Sequence, residues 1–170
     1  MSAASSWFHA LGDPLAPAER ALVAGILAER GGLHPDAIVV VADWSALART
    51  LQRLDRDDSW WDYEEEEREQ LWLAAGAQHT EDELQQAIAA ATDAAREGVT
   101  RAIAAAMTRA GVADAVLGDA ALGAALLAIH HHALAVLAHA PDTHPFFRKH
   151  ALFVAGRWPL GCERGQYHVF

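Results

Sequence analysis

The chain has 170 residues, 52% of them apolar, which is enough for one domain with a substantial core and too little for two independent ones. Thirteen basic against 23 acidic residues give a formal charge of -10, which argues against general nucleic-acid binding because that rests on neutralised phosphates. One cysteine, Cys162, excludes an internal disulfide and fits a reducing compartment; no leader-like start and no uninterrupted apolar run of about 18 residues is present, so the chain reads as soluble and cytoplasmic, with no membrane partner.

A first helix is predicted from about Pro17 to Gly31-Gly32, with Leu22 and Ile26 one turn apart. A second segment opens at Pro35, a residue that costs nothing in a first helical turn. Val40, Trp44, Leu47, Leu51 and Leu54 then repeat at 4-3-4-3 spacing and share one helical face. The β-branched run from Ile38 to Val41 leaves another reading open, a strand followed by a helix capped at Asp43.

After a polar break at 55–59, Trp60 to Ala75 reads as a helix whose early glutamates suit the positive end of the dipole. Those glutamates also repel one another, so the helix calls for tertiary contacts or a partner. Thr80-Glu81-Asp82-Glu83 spells a capping box, which predicts a long helix through Ile103 and Met107 to Ala110, ended by Gly111. Gly98 inside it implies close helix contact or a bend. Another helix is expected over Asp119 to His139, with Leu122, Leu126, Ile129, Ala133, Val136 and Leu137 as its apolar stripe and Pro141 closing it. Thr143 is a candidate cap for a short helix from Pro145 to Gly156. Residues 157–170, rich in glycine and turns, form an irregular or β-like tail packed on the helices and anchored by Trp158 and Phe170. The expected fold is mostly α, a single bundle-like domain of five or six helices with that short tail.

Six of the ten histidines, His130, His131, His132, His139, His144 and His150, fall within 21 residues. His132 and His139 lie about 20° apart on a helix, so with His144 or alternatively His150, brought back by the Pro141 turn, they form a candidate transition-metal site, with Asp142 or one of Glu64 to Glu67 as an oxygen donor. The competing reading leaves His131 solvated and has the other imidazoles capping helices or bonding carbonyls, or acting in pH-sensitive packing or partner contact. No zinc or di-metal motif backs the metal, so no cofactor is called for by motif, and hydrolysis or oxidation-reduction at His132, His139 and His144 is the enzyme alternative.

Charge is uneven. Residues 55–69 hold nine acidic side chains and two arginines, whereas 145–170 hold Arg148, Lys149, Arg157 and Arg164 against Glu163. Trp60, Trp61 and Tyr63 beside Glu64, Glu65, Glu66 and Glu67 make a candidate recognition surface, with rings supplying area and carboxylates steering a basic protein. The same tryptophans could instead close the core while the carboxylates face water. Arg148, Lys149 and Arg157 form a candidate anion site, although no phosphate loop accompanies them. Cys162 with His168, and Ser45 and Ser59, lack the context of catalytic nucleophiles. The sequence points to a small acidic interaction or regulatory protein, such as an inhibitor or immunity-type partner of a basic toxin. A homo-oligomer built on the small residues of the two long helices is a third reading.

Overall fold

The computed structural model describes residues 6–29, 38–54 and 59–170. Six helices, α1 (Pro17–Glu29), α2 (Trp44–Leu54), α3 (Ser59–Gly76), α4 (Glu81–Ala110), α5 (Ala115–Leu137) and α6 (Pro145–Val154), form a mostly helical bundle. Among the described residues, three short strands, β1 (Ile38–Val40), β2 (Pro159–Glu163) and β3 (Gln166–Val169), make a mixed sheet that joins the C-terminal tail to the segment before α2.

The capping box forms as the sequence spells it: the Glu83 amide donates to the Thr80 hydroxyl and the Thr80 amide to the Glu83 carboxylate. At the other end of α4, Gly111 takes the left-handed conformation at φ 65°. Gly98 lies half-buried within α4. The predicted start of α5 falls too late, because Asp114, not a residue near Asp119, accepts from the amides of Val116 and Leu117. The cap of α6 is also displaced by one residue: the Nδ1 of His144, rather than the Thr143 hydroxyl, accepts from the Phe146 amide.

The 38–42 ambiguity resolves as a strand and a helix. β1 runs parallel to β3, pairing Ile38 with Tyr167, Val39 with His168 and Val40 with Val169, while β2 runs antiparallel on the other side of β3. Helical periodicity lost here because stiff β-branched side chains met an unpaired edge supplied by the C-terminus. Asp43 then caps α2, accepting from the Ala46 amide at 2.7 Å. Pro35 and the Gly31-Gly32 helix end lie outside the described residues.

The sheet makes the tail a structural floor. Trp158 and Phe170 exchange both backbone hydrogen bonds, at 2.6 and 2.8 Å, and each is 2% exposed. They join a core of Trp7, Phe8, Trp44 and Leu47 with Val99, Ile103 and Ala106 of α4 and Leu117, Ala121, Ala125 and Ala128 of α5. Small Ala102 and Ala106 of α4 and Ala121, Ala125 and Ala128 of α5 let the two helices approach closely, while Ala89, Ala90, Ala94, Ala104 and Ala105 face outward. α5 is long and apolar enough to cross a membrane, with a mean hydropathy of 1.7, and here α3, α4 and α6 all pack against it.

Gly161 sits where β2 shifts register, at φ 122°, a backbone state that side chains rarely adopt. A Cβ there would lie 2.7 Å from the Trp60 ring, itself buried between α1 and the sheet. Gly161→Ala is expected to destabilise the fold by about 2 kcal/mol or more through combined backbone strain and overpacking. Urea denaturation checks this, and an unchanged midpoint contradicts the packing described.

Candidate functional site

At about 100° per residue, α3 divides into two arcs. Trp60, Glu64, Leu71 and Ala75 fall on one and are buried, while Trp61, Asp62, Glu65, Glu66, Glu69, Gln70 and Leu73 fall on the other and are exposed. Glu64 thus lies in the middle of the inward arc, only 4% exposed. It is tolerated there because Lys149 of α6 donates its ammonium to both carboxylate oxygens, at 2.6 and 2.7 Å. Three residues further on, Glu67 faces the His144 Nε2 at 3.2 Å. Two carboxylates of the acidic run therefore join α3 to α6.

This geometry corrects the recognition surface read from sequence. Trp60 is 3% exposed and packs edge-on against Tyr167, and Tyr63 is half-buried beside it. Trp61, at 41% exposure, is the one ring of the three that faces outward. Glu65 and Glu66 remain outside with Asp62 and Glu69, and Glu65 grips Arg68 at 2.5 and 2.8 Å.

The anion site is likewise dispersed. Lys149 is spent on Glu64. Arg157, 4% exposed, directs five hydrogen bonds to the carbonyls of Ala10, Asp13 and Pro14 and to both oxygens of Glu19, tying the N-terminal segment to the tail. Burial alone would raise the Glu19 carboxyl, but the Arg157 guanidinium and the Ala16 amide outweigh it and hold it below the usual range. The Arg148 guanidinium lies across Gly25 of α1, a position at which any Cβ would collide with it.

His132, His139 and His144 do not assemble. His139 stands exposed beyond the end of α5 at φ 52°, His144 is committed to its cap and to Glu67, and His132 lies against the His150 ring at 4.1 Å. The Phe147 ring packs against both His132 and His144. Among the described residues, no group of three or more His, Cys, Asp or Glu side chains is placed to hold a metal ion.

What α3 and α5 do build is a cleft of about 270 Å³ lined by Trp61, Asp62, Glu64, Glu65, Arg68, Leu127 and His131. His131 was read as the solvated member of the histidine run. It is 3% exposed, stacks on Phe146 at 4.0 Å, and leaves its Nδ1 buried without a hydrogen-bond partner among the described residues. Burial, seconded by the nearby Lys149 ammonium, lowers its pKa to about 2, so the ring is neutral. Burial brings His150 down to about 4, with His132 beside it adding to the effect. The one sequence signal for the Glu64 pairing is that Lys149 is the chain's one lysine. Comparison with protein-family models, curated proteins and solved structures finds no significant match.

Two expectations follow from the buried groups. Glu64→Gln leaves an ammonium unpaired in the interior and should cost about 3–5 kcal/mol, whereas Glu64→Leu combined with Lys149→Met should recover most of it. Denaturation of the single and double variants checks this, and simple additivity contradicts a coupled pair.

An unfolded histidine takes up its proton near pH 6.5, but folded His131 stays neutral until about pH 2. Acid therefore favours the unfolded chain. The stability present above pH 6.5 should fall as pH drops below it, by up to about 1.4 kcal/mol per pH unit for His131 and by a smaller amount for His150. Midpoints measured from pH 7 to 4.5 test the sign, and a flat profile contradicts the burial of these rings.

Proposed function

We propose that the chain is an interaction module that binds a basic protein through the outer arc of α3, as an inhibitor or immunity-type partner would. The observation that carries this reading is the exposed set Asp62, Glu65, Glu66 and Glu69 beside Trp61 and Leu73, the last 77% exposed. Four carboxylates on one helix side attract a cationic surface over the range set by salt, and the two apolar side chains supply the area that holds it. Arg68 offsets Glu65, so the steering charge comes chiefly from Asp62, Glu66 and Glu69. The reading is narrower than the one drawn from sequence, because Trp60 and Glu64 serve the interior.

Deca-lysine serves as a defined probe. Its affinity for the Glu66→Gln/Glu69→Gln variant is expected to fall about 5-fold at low salt, with a shallower salt dependence. Removing equal charge from α4 by Asp93→Asn/Glu97→Gln should change affinity less than 2-fold. Equal losses in the two variants, or affinity that does not vary with salt, would overturn the assignment of the face.

A further inference from the structure

A hollow of about 230 Å³ opens where the N-terminal segment, the start of α2 and the end of α4 meet Phe170, and it shares no residue with the outer arc of α3. Phe8, Trp44, Ala106 and Phe170 give it buried apolar walls, the Trp44 and Phe170 rings meeting edge to face at 5.3 Å. Two exposed side chains of opposite charge, Asp43 and Arg109, also line it. Opposite charges in so small a space attract, yet these two form no ion pair with each other or with any other described residue. Among the described residues, the Asp43 carboxylate accepts only from the Ala46 amide, through Oδ1, and the Arg109 guanidinium donates only through Nη2, to the Phe8 carbonyl at 3.1 Å. That leaves Asp43 Oδ2 and most of the guanidinium N–H groups without a partner among them. The backbone is strained at the Arg109 contact: Phe8 has φ 59°, a left-handed state that bulky side chains rarely take. Such a state persists where surrounding contacts over-determine it, and here the contact fixes the guanidinium beside the apolar wall.

We propose that this hollow binds a free aliphatic α-amino acid, its carboxylate on Arg109, its ammonium on Asp43 and its side chain against Phe8, Trp44 and Phe170. A zwitterion supplies both missing counter-charges at once. A simple anion instead sets its charge against that of Asp43, and a simple amine sets its charge against that of Arg109. The guanidinium offers a carboxylate two parallel donors, and one already anchored to the Phe8 carbonyl loses little freedom on binding. Size sets the rest: at about 230 Å³ the space falls below the roughly 300–1,000 Å³ usual for drug-sized ligands, which suits one small molecule with a short apolar group and excludes a nucleotide. The ligand joins the N-terminal segment to α2 and α4, so it also stabilises the folded chain by mass action. The site is independent of the α3 docking face and stands or falls without it.

The test follows the Trp44 indole resonance of the full chain by NMR as L-leucine is added, with 4-methylpentanoate, which lacks the ammonium, and 3-methylbutylamine, which lacks the carboxylate, as its counterparts. L-leucine is expected to shift the signal saturably and to bind about 10-fold or more tightly than either counterpart. Asp43→Asn keeps the α2 cap, since asparagine caps a helix as well as aspartate, and should weaken L-leucine about 5-fold without weakening 4-methylpentanoate. Arg109→Gln should weaken L-leucine about 10-fold and spare 3-methylbutylamine. Glu66→Gln/Glu69→Gln leaves L-leucine binding unchanged. Equal binding of L-leucine and 4-methylpentanoate overturns a zwitterion as the occupant. No saturable shift with any of the three compounds, or undiminished L-leucine binding by Asp43→Asn, overturns the site.

Discussion

The bundle depends on an electrostatic seam between α3 and α6. Glu64 and Glu67, one turn apart, reach Lys149 and His144, and every other property of α3 follows from having two charges turned inward. A buried ion pair of this kind contributes little net stability against an apolar pair of the same shape, since both ions lose their water. Its effect is on specificity. Rotating α3 by one residue step, about 100°, would bury unpaired carboxylates and expose Trp60, so the pair fixes which arc faces the solvent. The outward set of Asp62, Glu65, Glu66 and Glu69 is thus set from inside the molecule.

The same seam explains why α3 was hard to read. An amphipathic helix announces itself by apolar residues on one side and polar ones on the other. Here the buried arc contains Glu64, and the exposed arc contains Trp61 and Leu73. The sequence pattern is blurred by the two features that matter for function, a charge inside and apolar groups outside. Composition correctly located the acidic segment, but which of its rings and carboxylates faced outward depended on a partner 85 residues away.

Elements governed by local chemistry were legible. The capping box at Thr80, the terminating Gly111, and proline at the start of α1 and α6 act through the nearest turn of backbone, and each appears where the sequence places it. Elements governed by distant pairing were not. β1 exists because Tyr167, His168 and Val169 come alongside it, and Arg157 became a buried clamp because the N-terminal segment offers it carbonyl oxygens. Two members of the basic cluster, Lys149 and Arg157, have already found acceptors within the fold and are not left to bind an anion.

The histidines carry the most instructive reversal. Crowded imidazoles suggest metal or acid-base chemistry, yet here they behave largely as aromatic rings: His131 stacks on Phe146, His132 on His150, and His150 meets Trp7 edge-on. Burial lowers the pKa of each of these three, which keeps them uncharged and suited to apolar neighbours. A neutral imidazole still carries two nitrogens, and those of His130, His131 and His132 each leave one without a partner among the described residues. Of these three rings, only that of His131 lines the α3–α5 cleft. The chemistry of this region therefore depends less on how many histidines the sequence gathers than on how completely the packing around α5 takes each ring out of water.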